Sequence, residues 1–170
     1  MSSSFTSQNI LITGGTSGIG RATALAFARA GANVAITGRR EAEGRQVAEA
    51  VRALGVKSLF IKADAAVAAD AQRAVAETVK AFGSLTIAFN NAGIEGDVFV
   101  PLHEQKAENY RRVMDINVYG VLAAMQAEIP ALIASGGGAI VNTSSVAGLT
   151  GFQGMSVYTA SKHAVIGLTR

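Results

Sequence analysis

The chain has no cysteine, which removes a disulfide framework and thiolate catalysis together. Histidine is almost as scarce: His103 and His163 lack the spacing of metal ligands and read as ordinary surface or boundary side chains. Runs of like charge are also missing. Fifteen Lys and Arg stand against twelve Asp and Glu, spread along the chain, which argues against a nucleic-acid partner. The N-terminal "MSSSFTSQN" has neither a basic n-region nor a long apolar run. It reads as a short leader before the first strand, with no signal peptide and no membrane anchor, so the cytoplasm is the default compartment.

What is present suits one globular domain over 1–170: the residues are 49% hydrophobic and 16% charged. "NILIT" from Asn9 is a short apolar run, followed by glycines and the Ala-rich "RATALAFARAGA", with Gly31 as its C-cap. "NVAIT" predicts a second strand, and Glu41 to Leu54 a helix with Val47, Ala50, Val51 and Leu54 inside, closed by Gly55. "VKSLFIKAD" predicts a third strand, and Val67 to Phe82 a helix ending at Gly83. "LTIAFNNAG" is a fourth strand, followed by one long helix from about Glu104 to Ile129. "GGGAIVNTSS" is a fifth strand, and a helix starts near Ser156. Strands alternating with long helices imply βαβ units. The fold class is α/β: a Rossmann-like, doubly wound parallel sheet with helices on both faces.

"TGGTSGIG" (Thr13 to Gly20) joins the first strand to the first helix. Such a turn offers free backbone N–H groups and the positive end of a helix dipole, and glycine lets a phosphate approach without a Cβ in the way. The glycines fall at Gly14, Gly18 and Gly20, which is not the usual G-x-G-x-x-G spacing, and a purely structural turn is the other reading. No G-K-[ST] follows, so a nucleoside-triphosphate loop is disfavoured. The acidic residue that holds a ribose 2′-hydroxyl in NAD sites belongs at the end of the second strand. That place reads "ITGRRE", with Gly38 and then Arg39 and Arg40. A guanidinium grips a 2′-phosphate, so NADP is expected over NAD through Arg39, with NAD possible. Arg40 reads as a solvated charge at a helix start.

Tyr158 and Lys162 are four apart in "SVYTASKHAVIGLTR" and share one helix face. A free tyrosine titrates near ~10 and is a poor base at neutrality. Bringing it to about 7 takes roughly 4 kcal/mol of preference for the phenolate. A lysine one turn away and a bound cationic nicotinamide are neighbours that supply such a preference.

"TGGTSGIG", "NNAG", "DINVYG", "IVNTSS" and "YTASK" together resemble the short-chain dehydrogenase/reductase family, in its order and spacing from Asn9 to the last residue. The resemblance implies hydride transfer between NADP(H) and a small-molecule alcohol or carbonyl compound. Tyr158 is then the general acid and base beside Lys162. Ser145, thirteen residues before the tyrosine, polarises the substrate carbonyl, and Ser144 serves packing. Asn117 in "DINVYG" is implied to hold a water behind the lysine; a buried amide at a helix kink is its alternative. The implied cofactor contacts are Gly14, Thr16, Ser17, Gly18, Ile19, Gly20, Arg39, Asp64, Asn90, Ala92 and Gly93, with Tyr158 and Lys162. Asp64 would meet the adenine amino group, or equally cap a helix. Ile94, Glu95, Val146 and Gln153 would line the mouth of the site.

The resemblance also implies more chain than is here: the pattern stops inside the helix that bears Tyr158. Two further strands and a substrate-covering loop would follow, and without them the fifth strand is a sheet edge. The chain is therefore expected to be the N-terminal portion of such a reductase, with little activity in isolation, and a homo-oligomer where the full fold is present. A non-catalytic dinucleotide-binding module is the rival from another class.

Overall fold

β1 (Asn9–Ile12) is buried at all four residues, and alternate side chains serve opposite faces. Ile10 and Ile12 join Val34 and Ile36 on one face, while Leu11 joins Ala35 and Ile61 on the other. In this computed structural model, which describes residues 5–170, those two sets are the two halves of the core. The leader residues 1–4 lie outside the described residues, and Phe5 packs edge-on against Phe27.

Five strands form one sheet in the order β3-β2-β1-β4-β5, with β2 at Asn33–Gly38, β3 at Ser58–Lys62, β4 at Ile87–Asn90 and β5 at Ala139–Asn142. Every pairing is parallel, with Ile10 opposite both Val34 and Ile87, and Asn90 opposite Asn142. The chain winds outward from β1 through β2 and β3, then returns to the other side for β4 and β5. That reversal opens a crevice beyond the carboxyl ends of β1 and β4, where ligands of such sheets bind.

α1 (Gly18–Arg29) and α2 (Glu41–Arg52) cover one face through Ala24, Ala28, Val47 and Val51. α3 (Ala68–Phe82) and α5 (Gly120–Ala134) cover the other through Ala74, Val75 and Leu132. The inner face of α2 differs from the periodicity reading. Leu54 is 40% exposed beyond the helix end, and Gly44 and Ala48 are buried instead. Gly44 leaves no room for a Cβ beside the Phe60 ring, so the helix lies close to β3.

The single helix expected from Glu104 is three pieces: α4 (Ala107–Met114), a π-helical turn Asp115–Tyr119, and α5. The 107–134 stretch is long and apolar enough to cross a membrane by length and composition alone. Its α5 portion packs on the sheet and α3. Such π turns insert an extra residue and often mark functional positions. This one turns Asn117 inward, where it is 1% exposed.

Candidate active site

The glycine turn is anchored by a threonine hydroxyl. Thr13 Oγ1 accepts from the backbone N–H groups of Asn91 (3.0 Å) and Ala92 (3.1 Å). The Asn91 side-chain amide donates back to Thr13 O at 3.2 Å. These bonds tie the end of β1 to the tail of β4, so the turn and "NNAG" form one floor. Gly14 has φ +66°, and a Cβ there would stand 2.9 Å from Ala92 Cα. Gly20 carries no Cβ because one would collide with the Gly14 carbonyl oxygen. Thr13 and Asn91 were not singled out from the sequence, although both stand inside the quoted motifs.

A groove of about 290 Å³ runs along this floor. Gly14, Thr16, Ser17, Arg39, Asp64, Ala92 and Gly93 line it, as the motifs imply, together with Arg40 and Ile116, which they did not. Gly18, Ile19 and Gly20 lie in α1 beside it, and Ile19 is 65% exposed.

At the head of the groove the two arginines have different partners. Arg39 is paired with Asp64 at 3.8 Å, both largely in solvent. Arg40 reaches across and donates to Thr16 Oγ1 at 3.1 Å and to Ser17 Oγ. It stands at the N-cap of α2 and is 53% exposed, as expected, and it also braces the wall of the turn. Asp64 does not cap α3, whose N-cap is Val67. Its Oδ1 accepts from Ala66 N at 3.0 Å, and its own N–H donates to Asp70 Oδ2 at 2.8 Å. That backbone donor, with Arg73, holds the Asp70 carboxyl below its ordinary range.

At the other end, α6 (Ser156–Thr169) carries Tyr158 and Lys162. Lys162 is 4% exposed, its Nζ donates to Thr143 O at 2.8 Å, and it stands 5.7 Å from the centroid of the Tyr158 ring. Burial lowers its pKa from the ordinary lysine value. A Cβ on Gly93 would be 3.5 Å from Lys162 Nζ and 3.3 Å from Asn117 Oδ1, so both side chains stand close to the Gly93 end of the groove. Asn117 is fully engaged: Oδ1 accepts from Ile94 N at 2.8 Å, and Nδ2 donates to Ile94 O at 2.8 Å and Ser161 Oγ at 3.0 Å. It clamps the segment after β4 to α6.

The two serines have different partners. Ser144 Oγ donates to Lys162 O at 2.9 Å and joins β5 to α6. Ser145 opens the short turn Val146–Gly148 and accepts from Ala147 N at 3.2 Å. That bond uses an oxygen lone pair and not the hydroxyl hydrogen. Asn90 lies below the groove, 2% exposed, and its amide donates to Asn142 Oδ1 at 3.0 Å and Glu128 Oε2 at 2.9 Å. Sequence reasoning gave Glu128 no role. Of the histidines, His163 Nδ1 meets Thr159 O and His103 pairs with Glu104, both in solvent.

A bare glycine floor, a cationic head and a buried lysine beside a half-buried tyrosine stand together on the carboxyl side of a parallel sheet. The chain belongs to the short chain dehydrogenase family, whose model matches residues 8–170. It is 45% identical over 170 residues to cyclohexanol dehydrogenase of Acinetobacter sp. (strain SE19), covering 100% of this chain and 67% of that protein. The crystal structure of levodione reductase superposes with a TM-score of 0.93 at 36% identity, over 98% of this chain and 65% of that one. NAD+-bound xylitol dehydrogenase gives 0.94 at 33%, over 98% and 64%. The chain thus spans about two thirds of the length of the relatives it matches.

Proposed function

We propose that the protein is an oxidoreductase that interconverts a small alcohol and its ketone with a nicotinamide dinucleotide. The observation that carries this reading is Lys162, buried, beside the Tyr158 ring and close to the Gly93 end of the glycine-floored groove. A bound dinucleotide supplies or accepts the hydride. Tyr158 moves the proton at the substrate oxygen, donating it in reduction and taking it back in oxidation. The Ser145 hydroxyl hydrogen is donated to the same oxygen and stabilises charge that develops there. The Lys162 ammonium, fixed by Thr143 O, favours negative charge on the phenol oxygen during the transfer. Asn117 keeps α6 registered against Ile94 and so holds that ammonium in place.

The groove fits a dinucleotide along Gly14, Ala92 and Gly93, with the adenosine end at Asp64 and the arginines. NADP(H) is the preferred form: Arg39 and Arg40 flank the end of β2, where Gly38 leaves no carboxylate to repel a 2′-phosphate. NAD(H) is the second reading, favoured by the Arg39–Asp64 pair, which already compensates one cation, and by the similarity to an NAD+-bound dehydrogenase. The exposed Leu122, Ile129 and Ile133 on α5 are the surface through which copies would associate.

Titration of the 170-residue protein with NADPH and NADH, followed by fluorescence and thermal stability, tests this reading. NADPH is expected to bind more tightly, and Arg40→Ala to reduce the preference by about tenfold, the worth of one charged hydrogen bond. Binding of neither dinucleotide by a folded chain would sink the proposal.

A further inference from the structure

The acid–base site leaves one buried ionisable group without a role. Glu128 is 0% exposed, on the sheet-facing side of α5. Asn90 Nδ2 is the hydrogen-bond partner of its Oε2, at 2.9 Å. Its Oε1 and the Asn90 Oδ1 are both buried, and neither has a hydrogen-bond partner among the described residues. Both residues border a cavity of about 30 Å³, roomier than one water needs. Two buried acceptors, on residues that border one cavity, lack a donor. A carboxylic-acid proton on Glu128 supplies it, directly or through one water.

Asn90 is also the origin of two short paths to the site. Its carbonyl accepts from Thr143 N at 2.8 Å, and Thr143 O accepts from Lys162 Nζ at 2.8 Å. The next two residues, Asn91 and Ala92, are the ones that Thr13 fixes under the groove. Three hydrogen bonds therefore separate the Glu128 carboxyl from the Lys162 ammonium. We propose that Glu128 is a positioning residue that, as the neutral acid, holds Asn90 and through it the Thr143 carbonyl, the Lys162 ammonium and the floor of the groove. Ionisation of Glu128 turns its Oε1 from a donor into a second unpaired acceptor and loosens that chain. Other titratable groups on the cavity wall are Asp64 and Asp70 of the β3–α3 segment, and both are committed, Asp70 to Arg73 and Asp64 to Arg39. Burial raises the Glu128 pKa to about 7, within reach of neutral pH.

The site roles in this inference rest on the proposed function, but its primary test does not. In a ¹⁵N-labelled 170-residue protein, the Asn90 side-chain amide and the Thr143 backbone amide are followed by NMR from pH 5 to about 9. Both are expected to shift together with a midpoint near 7. Glu128→Gln, which keeps the shape and cannot ionise, is expected to hold both signals flat, whereas Asp70→Asn leaves the titration in place. Flat signals in the unsubstituted protein, or a titration that survives Glu128→Gln, would overturn the inference. Dinucleotide affinity gives the functional arm: it is expected to weaken at least about fivefold from pH 6 to pH 9 in the unsubstituted protein and to stay constant in Glu128→Gln. If neither dinucleotide binds at any pH, the proposed function fails while the amide titration still decides the role of Glu128.

Discussion

β1 and β5 both flank β4, in parallel register and with similarly apolar sequences, yet they sit in different surroundings. β1 is buried at every residue, whereas β5 alternates between exposed and half-buried, and Val141 is 52% exposed. Apolar burial on two faces holds the β1–β2 region. At the β5 edge α6 is fastened by polar bonds: Ser144 to the Lys162 carbonyl, Lys162 to Thr143, and Asn142 to Thr169. Hydrogen bonds fix geometry well and contribute little net stability, about 1 kcal/mol each. The difference teaches that, on the proposed function, the dinucleotide floor is carried by strands packed on both faces, whereas the proton transfer belongs to a helix fastened by directional bonds to a lightly covered edge.

The largest effect that would sharpen this division is on chemistry. Tyr158→Phe removes the hydroxyl that the proposed function makes the proton donor and leaves the groove lining untouched. On the proposed function, turnover of an alcohol substrate is expected to fall by about 10²–10⁴-fold. The dinucleotide dissociation constant should stay within about twofold. Loss of binding in parallel with turnover would mean that the two regions are not separable.

Next in size is a pH effect that crosses from one region to the other. The Glu128 pKa rises from 4.5 to about 7 on burial, so folding is favoured by the neutral acid. That stability is fully present below pH 4.5 and is lost as pH rises through about 7. The loss amounts to roughly 3 kcal/mol by linkage. Asp70 and Glu41, whose pKa values are lowered, act in the opposite sense and only on acidification, so the windows do not overlap. Urea unfolding at pH 5 and pH 8 measures the difference, and Glu128→Gln is expected to abolish most of it.

Why some of this was legible and some not follows from the range of the forces. The strands are short apolar runs and the glycine turn is local chemistry, so both could be read from neighbours in sequence. The π turn at Asp115–Tyr119 could not, because apolar residues run through it without a break. Gly44 carries no hydropathy signal, and its reason is the Phe60 ring on another strand. The bonds of Arg40 to Thr16 and Ser17 could not be read, because these partners lie more than twenty positions back. Glu128 in "MQAEIPALI" resembles the polar face of an amphipathic helix; only the packed sheet shows that this carboxyl points inward. Tyr158, Lys162 and Ser145 are named by motif, while the bonds of Lys162 to Thr143 and of Ser145 to Ala147 needed the fold.

The smallest expected effect is also the most direct test of the comparison, because it makes one substitution in both regions. Val34 on β2 is 0% exposed and Val141 on β5 is 52% exposed. Threonine matches valine in shape, so Val34→Thr buries a hydroxyl among apolar neighbours, at a cost of about 1–3 kcal/mol. At Val141 the same hydroxyl meets water, and the change should stay within about 0.5 kcal/mol. Denaturant midpoints for the two variants decide it. Equal losses would mean that β5 is covered in solution. A midpoint for Val141→Thr that varies with protein concentration would then identify the cover as a second copy of the chain, since only association makes folding stability depend on concentration.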